Sequence, residues 1–273
     1  MIKKSDAHFV ISNFNHNPIP IAKYAKTYLI LDQSDDPEIV AYLRTFNDPN
    51  IRFSKHVGHN LIDYLDYIIE NYYSLPPLIA FTKGNAVERH ISQGDWNDIY
   101  LNKHYTFIYT NKEKKNIPGV HFSGWNSDFN EINNSWFVWN SHHRYFTNTN
   151  QFIEFLWDEP KYPEYLTFSP GGCYIVENSR ITNKPHSLYI GLREILSYDY
   201  FPSEAWMLER LLHTIFFSVQ NFKPYVYEKE SFLFEISKIP DRSMESKPQK
   251  SQAGILYSKI VWKIKSLKRK ISR

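Results

Sequence analysis

Residues 58–85 read GHNLIDYLDYIIENYYSLPPLIAFTKGN, and the order of elements within them decides the fold. Leu61, Leu65, Ile68 and Tyr72 recur at steps of four, three and four, with Asp63, Asp66 and Glu70 off that face. This spacing predicts an amphipathic helix. Pro76-Pro77 ends it, because proline has no N–H to continue the helical ladder. LIAFT (78–82) then predicts an apolar strand that closes in Lys83-Gly84-Asn85. Strands of α/β sheets present ligands at their carboxyl ends, so a cation, a glycine and an amide at this point mark a candidate site.

Working outward, AHFVISNFN (7–15) predicts a first strand and an amide-rich turn, and KTYLILDQS (26–34) a second strand with Asp32 near its end. DDPEIVAYLRTF (35–46) has helical spacing, with Asp35 or Asp36 as cap before Pro37. NIRFSKH (50–56) predicts a third strand. The alternation predicts an α/β domain over residues 1–237, with a mixed, mostly parallel, Rossmann-related sheet flanked by helices. Periodicity fades over 95–150, where FSGWNSDFNEINNSWFVWNSHHRYF is rich in Asn and aromatics, as ligand-facing loops often are. TFSPGGCYIVENSRI predicts a turn at Gly171-Gly172 and a strand, and HSLYIGLREILSY and SEAWMLERLLHTIFF predict amphipathic helices.

The single cysteine, Cys173, excludes an intrachain disulfide framework and a CxxC zinc site, so a reducing compartment is expected. The apolar run near the start is too short for a signal peptide or a membrane span, and a cytoplasmic protein is expected. Aromatic residues make up 17% of the chain. They serve as core and surface, or some line a groove for flat polar ligands such as sugars or bases.

Charge is placed unevenly. Residues 246–273 carry nine Lys or Arg and no Asp or Glu, which leaves 23 basic against 29 acidic groups in residues 1–245. Residues 238–254 are a polar linker. In residues 255–273, Leu256, Ile260, Ile264, Leu267 and Ile271 share one face, among basic residues and Trp262. That pattern predicts a basic amphipathic helix lying on an anionic membrane, and hence a peripheral protein on the inner face. A helix packed back on the acidic body, or bound to a partner protein, fits the same pattern. Nucleic acid is not expected, because the body is acidic and the basic residues alternate with apolar ones.

Three stretches together resemble a family of uncharacterised domains. GHNLIDYLDYIIENYYSLPPLIAFTKGN is similar to its N-x-G-R-E, YL-x-x-I-x-x-NY-x-x-LP and strand-to-glycine pattern. GGCYIVENSRITNKPHSLY resembles its Gly, strand, R-I and Pro-then-Tyr element, and SEAWMLERLLHTIFF its closing helix. The layout looks like that of nucleotide-sugar glycosyltransferases with the A-type fold. The chain departs from the family pattern at His59-Asn60, where the family has Arg-Glu, and at Lys83, where it has Gln. It also lacks the Asp-x-Asp that most A-type enzymes use to hold a divalent metal against the sugar diphosphate.

The resemblance implies transfer of a sugar from a nucleotide-sugar donor to a glycan or lipid-linked acceptor, in surface polysaccharide or glycolipid synthesis. Such a reaction must neutralise the leaving diphosphate and deprotonate an acceptor hydroxyl. Lys83 with Asn85 fits the first task, or the pair is a solvated turn. His59-Asn60 at a helix start is a seat for phosphate, or a plain cap. Asn13, Asn15 and Asp32 are placed to read base and ribose, or to make turns. Glu209 and His213, at i and i+4, fit a base and its orienting partner near Gly171-Gly172. Alternatively Glu209 pairs with Arg180 or Arg210, and Glu204 is another candidate base. Metal signals are weak: His56 and His59 or His142-His143 lack completing ligands, although Asp32, Asp35 and Asp36 offer carboxylates to Mg or Mn. The competing function is a catalytically inactive, membrane-tethered binding or scaffold module.

Overall fold

The computed structural model describes residues 2–109, 129–139 and 141–243. The segment 255–273 and most of the linker before it lie outside the described residues. The first half alternates strand and helix: β1 (Ser5–Asn13), α1 (Ile19–Ala22), β2 (Ala25–Asp32), α2 (Pro37–Arg44), β3 (Ile51–Phe53), α3 (His59–Asn71) and β4 (Leu78–Lys83). Then follow α4 (Ala86–Arg89), α5 (Gln93–Ile99), β5 (Thr106–Phe107), β6 (Phe129–Ile132), α6 (Thr149–Leu156), β7 (Tyr165–Phe168) and β8 (Tyr174–Glu177). Four helices complete the described chain: α7 (Asn178–Thr182), α8 (His186–Leu196), α9 (Ser203–Phe217) and α10 (Lys229–Lys238).

The main sheet has six strands in the order β3-β2-β1-β4-β8-β5. β3, β2, β1 and β4 run parallel, and β8 is antiparallel to both β4 and β5. The fold is therefore mixed α/β with a mostly parallel sheet, as the sequence predicts. β6 and β7 form a separate antiparallel pair. β1 sits in the middle and is buried from Phe9 to Asn13, which suits a strand covered on both faces. On one face Leu61, Leu65 and Ile68 of α3 pack with Leu188 and Leu192 of α8 and Leu208 and Leu211 of α9. On the other, Phe9 and Ile11 meet Ile21, Tyr24 and Trp96.

Local chemistry fixes the helix starts. The Asp36 carboxylate accepts the Glu38 N–H at 2.9 Å, with Pro37 as the first helical residue. Gly58 opens α3 at φ +63°, and a Cβ there would lie 2.7 Å from Cβ of Ile62. Asp63 departs from the sequence pattern. It falls off the apolar stripe, yet it is fully buried, because its flank of α3 turns inward against the strand ends. α10 was invisible in the sequence because it buries only Phe232 and Ile236. Its last residue is Lys238, and the chain beyond still holds the body: the Arg242 N–H donates to the Arg144 carbonyl at 2.9 Å.

Candidate functional site

Successive crossovers carry the chain outward from β1 to β2 to β3, and the next one returns it to β4 on the other side of β1. The direction therefore reverses between β1 and β4. Loops on either side of such a point diverge and leave a crevice outside the carboxyl ends of the strands, the usual place for a ligand in an open α/β sheet. A cleft lies there, lined by Ser12 and Asn13 at the end of β1, Phe14 and His16 after it, Gln33 after β2, Lys83 at the end of β4, Asn85 after it, Arg89 at the end of α4, His59 and Asn60 at the start of α3, and Tyr200 before α9. Its enclosed volume is about 70 Å³, room for a small group only, and it opens outward to solvent. Five residues singled out from sequence, Asn13, His59, Asn60, Lys83 and Asn85, line it together.

Lys83 is 7% exposed. Burial lowers its ammonium to about 8; the Arg89 charge pushes the same way, while Glu209 and Cys173 oppose it. No hydrogen bond or ion pair ties its Nζ to another described residue. A buried cation opening into a cleft without a counter-ion is an arrangement that an anion completes. Glycine follows because a Cβ at Gly84 would overlap Oδ1 of Asn13. Asn85 then turns its amide to 2.9 Å from Nε2 of His16.

The start of α3 faces the same space. His59 holds φ +55°, a left-handed conformation rare outside glycine. It is fixed from the loop before α9: the Gly58 N–H donates to the Asp199 carbonyl at 2.8 Å and the His59 N–H to the Tyr200 carbonyl at 2.9 Å. The helix dipole adds partial positive charge at this end. Burial, helped by the Lys83 and Arg89 charges, holds the His59 imidazole well below its ordinary range, so it is neutral at pH 7. Beneath the floor, Ser12 donates to the Asp63 carboxyl at 2.5 Å and Ser54 at 2.9 Å. Burial pushes that carboxyl up to about 7.

Other expected site residues take different places. Asn15 does not line the cleft: its Oδ1 accepts the N–H groups of Asp35 and Asp36 at 3.1 and 2.9 Å. Asp32 stands one shell behind, accepting from Asn13 at 2.7 Å and Ser34 at 2.6 Å. Gly171 and Gly172, at φ +77° and +61°, form a buried turn behind Asn60. Asn60 donates to the Gly171 carbonyl at 2.7 Å, and Glu209 accepts the Gly171 N–H at 3.0 Å. The other Glu209 oxygen binds Arg210 at 2.9 Å. Nδ1 of His213 lies 3.0 Å from the Tyr105 hydroxyl. Neither residue is among those lining the cleft. Glu209 holds the glycine turn, and Arg210 is the partner it takes.

Glu204 is also structural. One of its oxygens accepts the N–H groups of Arg144, Tyr145 and Phe146 at 3.1, 2.7 and 3.1 Å. Among the described residues no group of three or more His, Cys, Asp or Glu is placed to hold a metal ion. Sequence reasoning missed Ser12, Phe14, His16, Gln33, Asp63, Arg89 and Tyr200. Arg89 carried a local signal, standing six residues beyond Lys83 in the same turn region.

No curated protein and no solved structure matches the chain. Residues 21–229 match the family described as "Protein of unknown function (DUF3431)", a span that takes in the ends of β2 and β4, the start of α3 and the loop bearing Tyr200, and the chain belongs to that family.

Proposed function

We propose that the cleft binds the diphosphate of a nucleotide-sugar donor, and that the protein transfers the sugar to a glycan or lipid-linked acceptor. The observation that carries this reading is Lys83: a buried ammonium with no direct ion pair or hydrogen bond among the described residues, opening into a cleft at the switch point of the sheet. Lys83 and the α3 start supply fixed positive potential where charge grows on the leaving diphosphate, and such preorganised groups favour the transition state over the ground state. Asn13, Asn85 and Gln33 offer amides for hydroxyl groups of ribose or sugar. The strand order supports the reading through the general behaviour of such sheets, and the stretch 58–85, similar to the family's strand-to-glycine pattern, supplies His59, Asn60, Lys83 and Asn85 to the cleft. The basic segment 255–273 would bring the protein to an anionic membrane and so to a lipid-linked acceptor.

The test is a panel of UDP-, dTDP- and GDP-sugars incubated with the full chain and a lipid extract. Release of nucleoside diphosphate, lost in Lys83→Met, supports the transferase. Absence of binding to every nucleotide, by calorimetry, rejects it in favour of the scaffold.

A further inference from the structure

The enclosed part of the cleft, about 70 Å³, has room for a phosphate beside Lys83 but not for the base of a nucleotide as well. A base must lie on the open side. Three rings meet there from three separate loops: Phe14 just after β1, His56 just after β3 and Tyr200 before α9. The His56 imidazole stacks on the Phe14 ring, with centroids 4.8 Å apart and planes inclined by 17°. Its centroid is 3.5 Å from that of Tyr200, and the Phe14 and Tyr200 centroids are 5.4 Å apart. Phe14 and Tyr200 line the cleft and are half-buried, whereas His56 is exposed. Two cleft rings are therefore covered by a flat nitrogen heterocycle, which is the shape and chemistry of a nucleobase.

The ring pair is tied to the anion seat. The Tyr200 carbonyl accepts the His59 N–H at 2.9 Å, so the loop that carries the Tyr200 ring is pinned to the start of α3. Gln33 lines the cleft and holds the same helix start, its Nε2 donating to the His59 carbonyl at 3.0 Å. Gln33 is 4% exposed, and its Oε1 has no hydrogen-bond partner among the described residues. A buried amide oxygen in that state calls for a donor, and a ribose hydroxyl is one.

We infer that Phe14 and Tyr200 form the seat for the base of a nucleotide, and that the His56 ring fills this seat until the base displaces it. The inference rests on the proposed binding of a nucleotide diphosphate and goes beyond it by placing the base and naming what it must displace. Stacking accepts any base, because each offers a π face. Purine and pyrimidine nucleotides both bind here, and the rings contribute to each.

The experiment is calorimetry on the full chain with UDP, GDP and inorganic pyrophosphate. The ratio of nucleoside diphosphate to pyrophosphate affinity isolates the base and ribose from the phosphates. In the wild type both nucleotides should bind at least about fivefold more tightly than pyrophosphate. Phe14→Leu and Tyr200→Leu should each lower that ratio at least about fivefold, the low end of base–aromatic stacking. His56→Ala empties the seat and should raise the ratio. His56 is exposed, so this variant keeps the test open if either leucine variant fails to fold. Nucleotides that bind no better than pyrophosphate, a ratio unchanged in both leucine variants, or a ratio lowered in His56→Ala would each overturn the seat and leave the diphosphate reading standing. Absence of binding by all three ligands overturns both.

Discussion

Lys83 costs the fold something, because an ammonium loses its water on burial and gains no counter-ion among the described residues. Lys83→Met keeps the volume and removes the charge. Its Tm should match or exceed the wild type, while affinity for inorganic pyrophosphate should fall at least about tenfold. For the wild type, binding requires the protonated amine, so affinity should fall as pH rises through about 8. The limiting slope is about tenfold per pH unit. Calorimetric titration from pH 7 to 9.5 checks both, and a flat pH profile would count against Lys83 as the anion's partner. Asp63 is shifted the other way. Its carboxyl titrates near 7 in the folded chain because burial opposes ionisation. Between the ordinary carboxylate range and about 7, the folded state therefore holds a proton that the unfolded state has released, and this group's contribution to stability falls as pH rises through that window. His59 and His90, both lowered by burial, act with opposite sign, since acid must charge them in the folded state. Asp63→Asn removes only the first effect. Its Tm should gain on the wild type between pH 5 and pH 8, and a constant gap would show that Asp63 is ionised throughout.

At the scale of elements, the glycine turn at 171–172 is gripped from two helices, by Asn60 at the start of α3 and Glu209 in α9. Glu209→Gln leaves Arg210 its second partner, Glu131, at 2.8 Å, but weakens the hold on the Gly171 N–H. The expected cost is about 1–3 kcal/mol, typical of a disturbed buried hydrogen bond, read as a lower Tm with residual activity per folded molecule intact. A fall in turnover of about a hundredfold or more at unchanged Tm would restore Glu209 as a base. The same elements show what the sequence made legible. Asn13, His59, Asn60, Lys83 and Asn85 stand where a strand passes into a turn or a turn into a helix, and such junctions are written in local spacing. Tyr200 and Gln33 reach the cleft through loops far apart in sequence, so no local pattern joins them to His59. Asp63 read as a solvent-facing residue because periodicity finds one buried stripe, whereas α3 is buried along the strand ends as well. β6 and β7 pair across more than thirty residues in runs of four, too short to separate from loop. Glu209 and His213 share a helix spacing, but the glycine turn claims one and Tyr105 the other, and only tertiary structure decides that.

The whole molecule reaches beyond the part that matches its family. The match ends at residue 229, where α10 begins. Yet Phe232 is fully buried, with its ring centroid 5.8 Å from Phe155 and 5.9 Å from Tyr225. It packs into α8 at Gly191, where a Cβ would overlap the Phe232 ring. Glycine inside a helix normally costs about 1 kcal/mol against alanine, and here it makes room for a ring whose burial returns more than that. The folding unit therefore includes α10 and the contact of Arg242 with Arg144, and a chain ended at the family boundary would expose the faces of α6 and α8 that α10 covers. Phe232→Ala should cost about 3–5 kcal/mol, the range for emptying a buried phenylalanine site. For a domain of this size that corresponds to a Tm lower by roughly 6–20 °C. A chain ended at 243 keeps α10 and the contact of Arg242 with Arg144 and should melt with the full-length protein. A chain ended at 228 should melt far below both, or collect in the insoluble fraction. Thermal denaturation of the three lengths side by side decides the matter, and equal Tm values for the 228- and 243-residue chains would show that α10 is an appendage of the fold.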